Sequence, residues 1–408
     1  MTLAAPLAAF GVRSFRFQWP ADLLTSWAFE METIILGWYV LVETDSVLWL
    51  TVFASLQFLG TLLAPMLGVF GDRFGRRYTL CALRAYYATL AAVLMTLGLV
   101  DLLSAGVVFG VAFLAGLVRP SDLVMRNALI GDTMPPALLM NGMSIARTTM
   151  DSARIAGALA GAGLFSTLGL GPAYVVVTVF YGLGLLLTLG VAPGVGAAVG
   201  GIEVRPPASS WRDLKEGLVY VWRTPQVLAT MWLAFSVNLT AYPMTHGLLP
   251  YVAREVYRID EIGLGHLVAA FATGALVGSI AMAVGLRSGR PARLMLLTAL
   301  AWYLLLLLFG QVQSKLPGIV LLLAIGLVQS FAMVTMAVTL LTAVPQQFRA
   351  RVMGVRMLAV YGLPVGLLAS GAVVGWLGYP GAVTVYALLG IGILLAIGIR
   401  WRTTLWQA

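Results

Sequence analysis

What this chain has least of is charge. Of its 408 residues only 10% are Asp, Glu, Lys or Arg and 60% are hydrophobic, against roughly 25% and 45–50% in soluble domains. Too few polar groups are present to cover a water-facing exterior, which excludes a soluble globular protein. Cysteine is nearly missing: a lone Cys81 permits no internal disulfide. One cysteine and two histidines twenty residues apart do not make a metal or nucleophile site. The chain also lacks any H-E-x-x-H, G-x-S-x-G or G-x-x-x-x-G-K-[ST] run, so the reading is neither an enzyme nor an ATP-driven pump. No metal and no cofactor is expected. Nucleic acid is not an expected partner either: the net charge of +9 comes in short basic clusters between apolar segments, as in loops facing an anionic leaflet.

What is abundant is glycine, with 45 residues, alongside 11 tryptophans, a composition suited to helices in a bilayer. Apolar runs long enough to cross a ~30 Å hydrocarbon core recur at residues 18 to 42, 47 to 70, 78 to 100, 104 to 128, 140 to 166, 171 to 192, 226 to 250, 262 to 285, 292 to 312, 317 to 343, 352 to 376 and 380 to 400. With both termini in the cytoplasm, 18 of the 25 basic residues fall on cytoplasmic segments, Arg84 and Arg356 among them, and only Arg254, Arg258 and Lys315 fall outside. The first residues make a poor signal peptide because no basic stretch precedes their apolar part. They read as an amphipathic arm that sets Phe15, Phe17 and Trp19 at the membrane interface.

The chain repeats itself. A shift of 214 residues lays "VFGDRFGRRYTL" on "AVGLRSGRPARL", matching Gly71, Arg73, Gly75 and Arg76 with Gly285, Arg287, Gly289 and Arg290, and Gly60 with Gly274. A weaker echo at 210 pairs Pro135 with Pro345 and Gly161 with Gly371. The expected organisation is two parallel six-helix repeats, residues 1–192 and 217–408, joined by a cytoplasmic linker, 193–216, with one short amphipathic helix.

Residues 68 to 77, "GVFGDRFGRR", resemble the G-x-L-a-D-r-x-G-r-[KR] signature of the major facilitator superfamily, keeping Gly68, Asp72, Arg73, Gly75, Arg76 and Arg77. "LGWYVLVETDSVLWLT", "RNALIGDTMP", "LLPYVAREV" and "AVPQQFRARVMGV" are similar to its drug and siderophore exporter branch. The resemblance implies an all-α membrane protein of twelve transmembrane helices in two pseudo-symmetric bundles, with spans 1, 4, 7 and 10 around a central cavity. It implies a monomer in a bacterial-type inner membrane, in contact with lipids, that expels a small amphipathic molecule by alternating access in exchange for protons. The signature loop would then be a cytoplasmic latch holding the outward-open state. Leu286, at the position equivalent to Asp72, shows that only one repeat keeps the acid.

Ionisable groups inside spans cost roughly 2.5–3.5 kcal/mol each on insertion scales, and here they crowd the first half. Span 1 carries Asp22, Glu30 and Glu32, span 4 carries Arg119, Asp122 and Arg126, and span 5 carries Arg147, Asp151 and Arg154. At 1.5 Å per residue Asp22 lies about 6 Å and Glu30 about 18 Å inside, with Arg119 about 12 Å from the same surface. Asp22 and Glu30 share a helical face and Glu32 points away. The expected pairs are Glu30 with Arg119 and Asp22 with Arg126, and Arg147, Asp151 and Arg154 are neighbours on one helix. Glu30, Asp22 and Asp151 are the candidate proton carriers; Glu30, Arg119 and Arg154 are candidate substrate contacts. In the second half these are joined by Trp232, Asn238, Tyr242, His246 and Gln329, with Pro243 placed to break span 7.

Each has a plainer reading. The ion pairs can serve helix packing alone, and His246 can be a hydrogen-bonded packing residue. The small-residue pairs Gly157 and Gly161, Gly274 and Gly278, and Gly362 and Gly366 read first as close helix contacts. Ala158 in "GALAG" stands where proton antiporters often carry proline, which leaves open import of an organic anion drawn to Arg119, Arg147 and Arg154. A receptor or scaffold that transports nothing is the remaining alternative.

Overall fold

The computed structural model describes residues 5–62, 71, 74–192, 210–284 and 290–406. Among these the chain is almost wholly helical with no strand, the form an apolar chain takes when every backbone group must be satisfied without water. In the first half α1 is Arg13–Thr44, α2 Val47–Leu56, α3 Arg76–Leu99, α4 Ala105–Thr133, α5 Pro136–Leu168 and α6 Leu170–Leu189. In the second, α7 is Ser210–Arg223, α8 Pro225–Thr240, α9 Glu261–Val284, α10 Pro291–Gln311, α11 Lys315–Ala343, α12 Gln346–Ala359 and α13 Gly362–Arg400. Seven membrane-length apolar helices stand out by length and composition alone. Among them Arg351–Arg400 is long enough for two crossings and bends at Gly378; the charge-bearing α1 and α5 and the interrupted second and seventh spans complete the twelve-helix architecture.

Two compact units result, Met1–Thr44 with Leu56–Val204, and Asp45–Ser55 with Arg205–Ala408. α7, the amphipathic helix expected in the linker, packs with the second unit on α12. Within the first unit α1 packs on α4, α5 and α6, and α3 on α4 and α6. Within the second unit α8 packs on α11 and α13, α10 on α11 and α13, and α9 on α11. The pairings of α1 and α3 return at α8 and α10, with α13 in the place of both α5 and α6, and the 3-10 turn Leu59–Leu62 on α4 answers α9 on α11.

The repeat is carried by matching details. A Cβ on Gly116 would strike the Leu56 carbonyl and one on Gly60 the Leu117 carbonyl, while in the second unit Gly326 meets the Phe271 carbonyl and Gly274 that of Leu323. Only residues without a side chain allow such backbone approach between membrane helices. Pro135 (φ −57°, ψ 142°) and Pro345 (φ −56°, ψ 147°) start α5 and α12 identically, and Ser104 and Ser314 start α4 and α11 in extended conformation. Gly157 and Gly161 seat α5 on Trp27, Glu30 and Met31 of α1, and Gly362 and Gly366 seat α13 on Phe235 and Leu239 of α8. Gly161 and Gly371 part company: the second meets Leu48 and Thr51.

Three expectations are corrected. α1 starts at Arg13, five residues before the expected span. Phe15 of the arm turns into the protein and not outward: Ala5–Gly11 is a 3-10 turn, Phe15 is 1% exposed against Ala9, Ile130 and Met134, and Phe10 meets Phe15 and Trp19 edge to face at 5.3 and 5.2 Å. Its aromatic rings gain more by packing into an apolar cleft, where Trp19 also donates to Thr149 at 2.8 Å, than by staying wet. Arg84, counted above among the cytoplasmic bases, is 0% exposed inside α3. The seventh span does break: α8 ends at Thr240, Pro243 falls in the first turn of a short helix, Tyr242–His246, and a further turn, Leu249–Tyr251, leads into a π-helical stretch, Val252–Val256. Gly378, at φ 68°, makes the bend in α13 between the last two spans, a conformation a side chain would strain.

Candidate functional site

The first unit holds a polar interior built mainly on α1. At its lower end Asp22 is a buried hub. Arg84 of α3 pairs with its Oδ1, and that guanidinium also donates to the Thr188 hydroxyl and, at 3.3 Å, to the Gly184 carbonyl of α6. Arg126 of α4 places Nε 3.8 Å from Asp22 and 2.5 Å from Asp122, and donates to the Ser26 hydroxyl at 2.8 Å and to the Asp22 carbonyl at 3.2 Å. Gln18 donates to the Arg126 carbonyl at 3.0 Å. Two acids and two arginines, all buried, neutralise one another, which is how charge survives in an apolar bundle. The expected meeting of Asp22 and Arg126 is present; Arg84, its closer partner, escaped the sequence reading. The signal was there, an arginine eight residues into α3 and outside any loop.

Eight residues further along α1 the expected pair does not form. Glu30 lies 3.5 Å from Arg154 of α5, not against Arg119. Arg119 donates instead to Gln57 Oε1 at 2.6 Å, to the Phe29 carbonyl at 3.0 Å and to the Thr33 hydroxyl at 3.2 Å, and its guanidinium lies 4.3 Å from the centroid of the Phe29 ring. The reason is steric: Gly157 brings α5 so close that its Cβ would lie 2.7 Å from that of Glu30, so the carboxylate is taken by the nearer helix. Among the described residues no carboxylate lies within ion-pair distance of Arg119. The Glu30 and Arg154 side chains keep 27% and 35% of their surface exposed. Asp151 pairs with Arg147 at 3.3 Å.

Glu32 points the other way, as its spacing predicts. Buried between α1 and α6, it accepts a hydrogen bond from the Tyr181 hydroxyl at 3.0 Å. Tyr181 in turn meets Phe29 edge to face and Tyr87 at a tilt, and Phe29 meets Tyr87 edge to face, with centroids 5.0–5.7 Å apart.

Of the signature loop, Gly68, Asp72 and Arg73 lie outside the described residues, as do Gly285, Leu286, Arg287 and Gly289 of its repeat. Gly75 adopts φ 92° ahead of α3. Arg76 pairs with Asp132 of α4 at 2.6 Å and donates to the Ala128 carbonyl at 3.3 Å, and Arg77 donates to the Leu189 carbonyl at the end of α6. These two arginines cap carbonyl-rich helix ends, where positive charge is favoured.

In the second unit the candidates fall into two groups. Tyr242 and His246 lie together, rings 4.8 Å apart, with Tyr242 edge-on to Trp302 at 5.2 Å and His246 edge-on to Phe271 at 5.5 Å. His246 Nδ1 is 3.2 Å from the Thr245 hydroxyl. Asn238 donates back to the Ala234 carbonyl at 2.8 Å, and Trp232, 45% exposed, meets Phe235 edge on. Gln329 is buried on α11, apart from these contacts, with no hydrogen-bond partner for its Oε1 among the described residues.

The chain belongs to the Major Facilitator Superfamily, whose pattern matches residues 7–367, and this points to transport of small molecules rather than enzymatic chemistry. No curated protein sequence matches the chain. Among solved structures it is similar to the nucleoside transporter NupG, with a TM-score of 0.71 at 14% identity over 93% of this chain and 98% of that one. A POT family transporter in complex with a thioalcohol conjugated peptide also scores 0.71, at 13% identity over 96% of both chains. The human organic anion transporter MFSD10 scores 0.61 at 18% identity, over 94% and 99%. At these identities the likeness is one of fold.

Proposed function

We propose that the protein expels a small amphipathic molecule from the cytoplasm by alternating access, in exchange for protons, as a member of the exporter branch its motifs resemble. Both termini lie in the cytoplasm on this reading, and the membrane is a bacterial-type inner one. One observation supports it above the others: Glu30 is a mid-membrane acid held by a single, half-exposed arginine at 3.5 Å. Asp22 sits between two arginines and Asp151 has a partner on its own helix. Protonation of Glu30 frees Arg154, and a substrate competes for the vacated position. Asp22 is assigned to holding α1, α3 and α4 together, Tyr242 and His246 to an aromatic substrate wall, and Trp232, Asn238 and Gln329 to separate substrate contacts.

The test is proton–substrate exchange in proteoliposomes bearing an imposed pH gradient, with amphipathic cationic dyes as substrates. Glu30→Gln should abolish the response to the gradient while dye binding persists, and Asp151→Asn should keep at least half of it. A Glu30→Gln protein that still couples would sink the proton reading.

A second reading rests on Arg119, which makes no ion pair among the described residues and is hydrogen-bonded to neutral acceptors, with the buried Glu32 acting on it only through space. An organic anion would supply the missing charge. Uptake of anionic dyes that vanishes in Arg119→Gln, with cationic dyes ignored, would favour it.

A further inference from the structure

A cavity of about 740 Å³ opens beside α7, the linker helix, lined by Lys215, Glu216, Val219, Tyr220, Arg223, Thr224 and Phe348. This is within the size range of ligand pockets. Its floor is aromatic: Tyr220 of α7 stacks on Phe348 of α12 with centroids 4.7 Å apart and planes 16° off parallel. The floor is also firmly set. A Cβ on Gly217 would come 2.9 Å from the Arg351 carbonyl, and Val221 is buried with Val344, Val352 and Val355.

The charge at the rim is unbalanced. Glu216 pairs with Arg351 at 3.2 Å, whereas Lys215 and Arg223 have no carboxylate within ion-pair distance among the described residues. Residues 215, 219 and 223 recur every four along α7, so a cation stands at each end of an apolar strip. Val219 and Trp222 leave 43% and 63% of their surface exposed, which suits a helix lying in a headgroup layer.

We propose that this cavity binds an anionic phospholipid of the leaflet that α7 faces, its phosphate held between Lys215 and Arg223 and the start of an acyl chain laid on Val219, Tyr220 and Phe348. A zwitterionic lipid carries its own cation to the rim and is repelled there, so selectivity is for net negative charge. The lipid fastens the linker helix to the second unit and to the bilayer together. The proposal does not depend on what the protein transports.

The experiment places a fluorophore at Val219→Cys in a Cys81→Ser background, with the full chain in mixed micelles, and titrates phosphatidylglycerol or phosphatidylcholine bearing a spin label near the head of the acyl chain. Two cations near a membrane surface, at about 1 kcal/mol each, correspond to roughly thirtyfold in affinity. Phosphatidylglycerol should therefore quench at about thirtyfold lower concentration than phosphatidylcholine. The preference should vanish with Lys215→Gln plus Arg223→Gln, survive Arg402→Gln, and weaken in the parent at high salt, a check that needs no substitution. Equal quenching by both lipids overturns the proposal, and so does a preference untouched by the double substitution and by salt. Quenching relieved by inorganic phosphate would make the site one for the free ion. Protection from both lipids would mean that protein, the chain's own residues 193 to 209 or a second copy, fills the groove.

Discussion

Replacing Arg84 with methionine isolates the buried hub of the first unit. The side chain is wholly enclosed and bonds Asp22, Thr188 and the Gly184 carbonyl. Methionine keeps most of its volume and removes its charge. Breaking a buried pair by deleting one partner typically costs 3–5 kcal/mol, because the other charge stays buried. Asp22 is not stranded completely, with Arg126 Nε at 3.8 Å and the Gln18 amide at 3.4 Å, so the lower end applies, about 3 kcal/mol. For a bundle near 200 residues this lowers the melting temperature by about 6–12 °C. Removing both charges, Asp22→Asn with Arg84→Met, should recover most of the loss, since a pair replaced by neutral groups is often near neutral in stability. The coupling between the two substitutions should therefore be about 2 kcal/mol. The chain supplies its own reporter: Cys81 is the sole cysteine, buried one turn before Arg84 on α3, and a thiol-reactive dye labels it when this unit opens. A single variant that melts within about 2 °C of the parent, or a double variant no better than the single, would refute the hub.

Three other outcomes follow from the same contacts. Tyr181→Phe removes a hydrogen-bond donor to the buried Glu32 carboxylate and should destabilise by about 2 kcal/mol, less in a Glu32→Gln background; the Cys81 dye assay reads both. Gly116→Leu drives a side chain into the Leu56 carbonyl and should cost upwards of about 3 kcal/mol, whereas Gly110→Leu, with nothing within 4 Å, should be tolerated; the recovery of monodisperse protein separates them. Gly75→Ala forces a side chain onto φ 92° and should cost about 1–2 kcal/mol, read as a melting shift that Gly163→Ala, in open helical space, does not share.

Much of the architecture was legible in one dimension because lipid leaves few options. A run of apolar residues must become a helix, its length must match the bilayer, and close crossings must use glycine. Gly60 with Gly274, Pro135 with Pro345 and the pairs at 157/161 and 362/366 could be picked out before any coordinates. Pro243 announced a break for a similar reason, since proline removes a backbone donor and clashes with the preceding turn. The charged face of α1 was legible too, because a rise of 1.5 Å and 100° per residue fixes where Asp22, Glu30 and Glu32 sit on their own helix.

The helical period and the bilayer's thickness, both readable in one dimension, carried the all-helical architecture, its matching glycines and prolines, and the angular order of side chains along a single helix. Tertiary structure decided who holds whom. Depth and angle along one helix say nothing of the rotation and closeness of its neighbours, and an arginine is long enough to reach either of two helices. The glycine at 157 let α5 come nearest and gave Glu30 to Arg154, left Arg119 to Gln57, and Arg84 of α3 turned inward to Asp22.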